Sequence, residues 1–531
     1  MHARGPLVAL VAVLASATAA PRSARAEDDA VAAKVRGFLD AATPEARAAA
    51  AHAIVAGKPA FATVAAALAA GRTYAKDVPT GWLERTQRCS DGKDRPYLLY
   101  VPPSYDPAKR HRLVLDLHGG VSRPELLTHD ELREMAQLRG PHAEANGYLL
   151  ALPTGEAKAE WWTPVGASNV LGIVAATKRV YDVDENLVFA TGFSDGASGS
   201  YYLALTDPTP FAGFVPLNGH LGVAGAGGLQ VHLDGLRNTP VHAINTDLDG
   251  LYPAAAIRPV ADALKAMGAP FVWREVKGFG HDPSYLATER APIWAWEEGV
   301  RRVPHPAHVV WAGTADAPSR VFGLGHVTVG AAGTARAEDD VNPLLPPGRV
   351  RLGVVVDAAF TGEGVRIGDV GDDTPAKAAG LASGDVIVGL GGAKVANQRD
   401  LRAALAGRKH GETVQVSVRR GEATLAKDVT FPEAGPEPAF RRGRPFGVLE
   451  ATRAGNAFDV TCRGVDAFEL WLGVGAVDLA APVVVRVNGV EAFRGAVAED
   501  LAFLLERAAA DDDRTMLYAA RLPVKVPPSP K

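Results

Sequence analysis

The sequence predicts an α/β protein built on a doubly wound, mostly parallel sheet, and three observations carry that prediction. Between residues 81 and 300, short apolar runs rich in β-branched residues alternate with helix-like segments. The runs are apolar throughout, as strands covered on both faces are, instead of alternating in polarity. Segments between them repeat apolar residues at helical spacing. The expected strands are "YLLYVP" (97–102), "RLVLDL" (112–117), "GYLLALP" (147–153), "LVFATG" (187–192), "FAGFVPLNG" (211–219), "TPVHAIN" (239–245) and "FVWREV" (271–276). Helices are expected over 125–136, 167–179 and 254–267.

The rest of the chain has other textures. An apolar run from Leu7 to Ala15 follows Arg4 and precedes small residues, the order of an export signal cut after Ala26. That run is shorter than the roughly 20 residues of a membrane span. Residues 1–26 are therefore expected to be a signal peptide and the mature protein periplasmic or secreted. Residues 27–80 are alanine-rich with apolar residues at helical intervals, and read as two or three helices closed by Gly57 and Gly71. Residues 301–346 and 433–531 both read as β-rich, and neither is long enough to be comfortable alone. We expect one β-sandwich-like domain interrupted at a loop by a middle module (347–432), with two independent small domains as the alternative. That module shows short strands, an alanine-rich turn and a helix over 398–406.

At 531 residues the chain has room for roughly three or four domains. A net charge of −4 offers no basic face to a phosphate backbone, so nucleic acid is not an expected partner. The two cysteines, Cys89 and Cys462, are too few and too far apart for a disulfide framework. No Cys/His cluster has metal-ligand spacing, and no cofactor is expected.

The chemistry centres on Gly192-Phe-Ser-Asp-Gly196. With 56 glycines in the chain, such a pattern arises easily by chance, so its context decides. A serine hydroxyl becomes a nucleophile only beside a base, on a sharp strand–turn–helix elbow. Here "NLVFATG" supplies the strand, Ser194 the turn and "DGASGSYYLALT" the helix. Oxyanion donors are expected from the Asp195 amide and from Gly119 and Gly120, in the His118-Gly-Gly turn after "LVLDL". Two acids, Asp247 and Asp249, follow the strand "TPVHAIN", and His281 follows "FVWREV". The order serine, acid, histidine suits a triad in which His281 moves the serine proton and an aspartate steadies the imidazolium. His220 follows a strand but precedes the acid, and His118 fits a scaffold for the oxyanion loop. Trp161 and Trp162 either wall an aromatic substrate or pack in the core.

On these motifs residues 81–300 resemble the α/β-hydrolase superfamily, in particular its secreted polyhydroxybutyrate-depolymerase and feruloyl-esterase-like branch. The resemblance implies a catalytic Ser194, Asp249 and His281. It favours Asp249 because Asp-x-Leu-Tyr-Pro (249–253) fits the acid motif better than Asp247, which remains the alternative. The middle module, with "RLGVVV" and "DTPAKAAGLASGDVIVGLGG", resembles a PDZ domain of the bacterial periplasmic-protease type. Such domains add a C-terminal peptide to a sheet edge. The resemblance places the carboxylate loop at Arg351, Leu352, Gly353 and Val354, with the 398–406 helix lining the groove.

Three function classes follow. The first is a serine hydrolase of small or polymeric carboxylic esters, its PDZ module engaging a peptide or protein C-terminus. The second is a serine peptidase of the same fold, and the third is a non-catalytic binding protein. Four ordered site elements speak against the third, and the esterase resemblance favours the first.

Overall fold

The computed structural model describes residues 22–330 and 340–528, so most of the expected signal segment lies outside the described residues. The chain divides into two compact units. One holds the described residues of Met1–Tyr252, Leu264–Val341 and Arg442–Lys531; the other holds Pro253–Ala263 and Asn342–Arg441.

The first unit opens with helices α1 (Arg22–Asp40), α2 (Pro44–Ala56) and α3 (Phe61–Ala70). Strands β1 (Gly81–Arg88), β2 (Asp94–Val101) and β3 (His111–Leu117) follow, then α4 (His129–Ala136), α5 (Gly140–Asn146), β4 (Leu149–Pro153) and α6 (Pro164–Val180). Next come β5 (Val183–Phe193), α7 (Asp195–Thr206), β6 (Gly213–Leu217), β7 (Val241–Thr246), α8 (Ala254–Ala266, whose residues up to Ala263 fall in the second unit), β8 (Phe271–Val276) and α9 (Leu286–Gly299). The eight strands form one sheet in the order β1-β2-β4-β3-β5-β6-β7-β8. The β1–β2 and β2–β4 pairs are antiparallel. Every pair from β4 to β8 is parallel, through β3, β5, β6 and β7. This is the α/β-hydrolase fold. Leu98, Val114, Leu150, Phe189 and Val215 are wholly buried, as strands under helices on both faces require.

Two of the differences from the sequence expectation have a local cause. The helix expected over 125–136, α4, starts at His129 because Thr128 caps it and Glu131 returns the bond to the Thr128 amide. β1 reads poorly as a strand because it is an edge strand whose last residues alternate between half-buried and exposed.

Beyond α9, β9 (His308–Thr314) and β10 (Leu324–Val329) precede the middle module. That module, in the second unit, contains β11 (Leu344–Leu345), β12 (Val354–Val356), β13 (Val365–Val370), α10 (Pro375–Ala378), β14 (Val386–Leu390) and β15 (Ala393–Lys394). It continues through α11 (Gln398–Ala406), β16 (Thr413–Arg420), β17 (Ala423–Thr430) and β18 (Glu437–Pro438). Its main sheet runs β12-β13-β14-β16-β17 around a core that includes Leu352, Ile367, Ile387, Leu401 and Val416.

The chain then returns to the first unit with β19 (Phe446–Ala454), β20 (Ala457–Arg463), β21 (Val465–Gly473), β22 (Val483–Val487), β23 (Val490–Gly495), α12 (Leu501–Asp511) and β24 (Tyr518–Lys525). Strands from both sides of the module share two sheets: β23-β22-β20-β19-β9 and β10-β21-β24. Their inner faces meet in one core with Trp311, Leu449, Phe468, Leu472 and Tyr518. The β-rich reading of 433–531 overlooked α12, which Asp500 caps by accepting the Phe503 N–H at 2.9 Å. α12 buries Leu504 and Leu505 against Val35, Phe38 and Leu68 of the N-terminal helices.

Candidate active site

Ser194 sits between β5 and α7 with φ 59° and ψ −117°, a strained conformation for a residue with a side chain. Its N–H is anchored to the Leu217 carbonyl of β6 at 2.9 Å. The elbow exists because two glycines let three elements meet. A Cβ on Gly196 would lie 1.8 Å from the Leu117 carbonyl oxygen at the end of β3. One on Gly192 would lie 2.5 Å from the same atom. No side chain fits at either position.

His281 places Nε2 2.8 Å from Ser194 Oγ and Nδ1 2.8 Å from Asp249 Oδ2. Asp249 is 1% exposed and each of its oxygens is occupied. Oδ2 also accepts from Asn218 Nδ2 at 2.8 Å, and Oδ1 accepts the N–H groups of Leu251 and Tyr252, both at 2.8 Å. Burial alone would raise this carboxyl; the bonds from His281, Tyr252, Asn218 and Leu251 outweigh it and hold the group at about 2. Asp247 stands elsewhere: its Oδ1 accepts the Gly278 N–H at 2.7 Å and so braces the turn after β8. Asp249, not Asp247, faces the histidine.

The His118-Gly119-Gly120 turn follows β3. A Cβ on Gly119 would lie 3.0 Å from Ser194 Cβ, so its backbone is pressed against the serine. Gly120 turns the loop at φ 68°, a conformation that favours glycine. Asp195 opens α7, where the first amides have no carbonyl of their own helix to bond. His118 donates from Nδ1 to the Gly119 carbonyl (2.7 Å) and accepts the Gly155 N–H at Nε2 (3.0 Å). Burial holds it neutral, with its pKa lowered to about 4. Trp161 is buried behind this loop and donates its indole N–H to the His118 carbonyl at 2.8 Å. Trp162 is buried as well, so neither presents an open aromatic wall. His220 is engaged locally, its Nδ1 accepting the Gly222 N–H at 2.9 Å.

Three residues to which the sequence reading gave no role of their own belong to this constellation. Asn218, at φ 51° after β6, bonds both Asp249 and Thr246 Oγ1. Thr246 in turn donates to the Gly280 carbonyl, next to His281. Tyr252 packs edge-on to the His281 ring, with centroids 5.6 Å apart. The signal the sequence offered for Asn218 was an Asn, a residue that tolerates positive φ, directly after an apolar strand.

Chemically, the arrangement joins a hydroxyl, an imidazole and a buried carboxylate in one line. The imidazole can accept the hydroxyl proton while the carboxylate faces the resulting cation.

In the second unit, Arg351 is exposed, Leu352 is buried and Gly353 has φ 80°. A Cβ on Gly353 would lie 2.3 Å from the Thr374 side chain. Val354 opens β12, the edge strand of its sheet, and Val355 is 61% exposed. Cys89 and Cys462 are free and buried, and burial pushes the Cys462 thiol up to about 11. Among the described residues, no helix is long and apolar enough to cross a membrane.

Residues 346–430 match the PDZ_2 family model, a PDZ domain. The chain is 32% identical over 155 residues to Feruloyl esterase C of Emericella nidulans, a match covering 28% of this chain and 54% of that protein. It is also 32% identical over 129 residues to Probable feruloyl esterase C of Aspergillus oryzae, covering 24% and 47%. The chain thus spans about half the length of the curated relatives it matches. The crystal structure of a thermostable esterase is similar at 21% identity and TM-score 0.36, covering 42% of this chain and 63% of that chain. The polypeptide joins an α/β-hydrolase fold, similar in sequence to feruloyl esterases, to a PDZ domain.

Proposed function

We propose that this protein is a serine hydrolase of carboxylic esters, working through Ser194, His281 and Asp249. The observation that carries the proposal is the unbroken contact chain from Ser194 Oγ through His281 to Asp249, 2.8 Å at each step. Ser194 attacks the ester carbonyl while His281 Nε2 takes its proton. Asp249, ionised by its four hydrogen bonds, stabilises the imidazolium. The amides of Gly119, Gly120 and Asp195 receive the oxyanion. His281 then protonates the leaving alkoxide, and an acyl group remains on Ser194. A water deprotonated by His281 releases the acid and restores the serine. The similarity to feruloyl esterases points to esters of aromatic acids as substrates. The export-type N-terminus supports action outside the cytoplasm. The exposed edge of β12 supports capture of a peptide or protein C-terminus by the PDZ domain.

The test is hydrolysis of p-nitrophenyl acetate and methyl ferulate, compared with peptide p-nitroanilides. Wild type is expected to turn over the esters, and Ser194→Ala to lose at least about 10³-fold in kcat. Peptide cleavage without ester turnover would make the protein a peptidase. Ester turnover that survives Ser194→Ala would remove the serine from the mechanism.

A further inference from the structure

The amide of Asp195 is the part of that residue the serine elbow calls for, yet its side chain is also engaged. Asp195 Oδ2 accepts the backbone N–H of Val121 at 2.9 Å, and Oδ1 faces the Tyr252 hydroxyl at 3.5 Å. Val121 is the residue after Gly119-Gly120 and is wholly buried. We propose that the Asp195 carboxylate is a positioning residue that ties the oxyanion loop to the nucleophile elbow; the inference rests on the ester-hydrolase reading above.

The loop needs such a tie. Its two glycines carry no side chains to lock it, and Gly120 occupies the left-handed region with open space beside its Cα. Glycine pairs are the most mobile backbone a chain can offer, while oxyanion donors must be held fixed to lower a barrier. Three restraints meet this need. His118 Nδ1 holds the Gly119 carbonyl from behind. Gly119 packs against the Ser194 Cβ. Asp195 holds the loop's far end at Val121. The first holds the peptide that carries the Gly120 N–H and the third holds the next one along, while the Trp161 bond to the His118 carbonyl holds the peptide that carries the Gly119 N–H.

A carboxylate beside a developing oxyanion would ordinarily oppose it. Here the charge is directed onto a backbone N–H and toward the phenol of Tyr252. Burial raises the Tyr252 hydroxyl to about 12, so it remains a donor over the working pH range. The role is therefore that of an acceptor, and the tie requires an oxygen at this position more than it requires a charge.

The experiment uses the full chain with Asp195→Ala and Asp195→Asn, read by steady-state kinetics on p-nitrophenyl acetate and by hydrogen exchange over residues 118–123. For Asp195→Ala, kcat is expected to fall about 10- to 100-fold, less than the roughly 100- to 1,000-fold of deleting an oxyanion donor. KM should stay within about threefold, because the loop acts on the transition state. The loop amides should exchange faster. Asp195→Asn, whose amide oxygen can still accept from Val121, should recover about tenfold of the lost kcat and slow the exchange again. If Asp195→Ala does not fold, Asp195→Ser, whose hydroxyl is too short to reach Val121, takes its place. Unchanged kcat with unchanged exchange overturns the tie, as does an Asn variant no better than Ala. If wild type hydrolyses no ester, the functional reading fails, and the exchange measurement still decides whether Asp195 holds the loop.

Discussion

Asp247 and Asp249 sit two residues apart in one loop, and their surroundings assign them different work. Asp249 receives four hydrogen bonds, one from His281, while Asp247 braces a turn through the Gly278 amide. Asp249→Asn should lower kcat by about 10⁴-fold, since an amide that donates toward Nδ1 favours the wrong imidazole tautomer. Asp247→Asn keeps an acceptor for Gly278 and should remain within about threefold of wild type; parallel ester kinetics on the two variants check this. In sequence the two acids were hard to separate, because both follow the same strand and only the fit of Asp249 to a motif favoured it. What distinguishes them is tertiary. Asn218 comes from the loop after β6 and meets Asp249 from the loop after β7, a convergence that no local pattern encodes. Tyr252 escaped for the same reason, since its hydroxyl reaches across to Asp195.

The serine elbow was legible as an element because its constraints are local. A strand, a turn and a helix must cross at short range, and glycines at fixed offsets are the only residues that allow it. Gly196→Ala tests the crossing. Its new Cβ would overlap the Leu117 carbonyl, which is backbone in a central strand and has no room to give. A loss of about 3 kcal/mol or more is expected, visible as a lower urea midpoint. Gly37→Ala provides the contrast: it lies exposed in α1 with nothing within 4 Å of the added methyl. That variant should gain up to about 1 kcal/mol from helix propensity alone. α12 was harder to read than either. Its signals were present, an Asp cap and apolar residues at helical spacing, but they lay among Val-rich strand segments whose texture dominated the region.

At the scale of the whole molecule, two long-range pairings show how the chain accommodates the PDZ domain. β9 pairs with β19 and β10 with β21, although about 130 to 146 residues separate the partners in sequence. The pairings bring strands from 301–346 and 433–531 into shared sheets on either side of the inserted module. The stems of that insertion are clamped within the first unit. Asp340 accepts from His232 Nδ1 at 3.1 Å and forms an ion pair with Arg442. Gln230 Oε1 accepts the N–H groups of Gly443 and Arg444, each at 3.0 Å. The chain therefore leaves and re-enters the first unit at neighbouring points, both fixed to residues 230–232. Replacing residues 342–441 with about six Gly/Ser residues, which span roughly 13 Å, should close the gap without straining this clamp. The shortened protein should melt cooperatively within a few degrees of the parent and keep ester kcat/KM within about threefold. A broad melt, or loss of activity despite a native circular-dichroism spectrum, would mean that the hydrolase depends on the PDZ domain for its own structure. The retained activity would instead mark the PDZ domain as a recognition device added at a tolerant site, with Asp340 and Arg442 as its points of attachment.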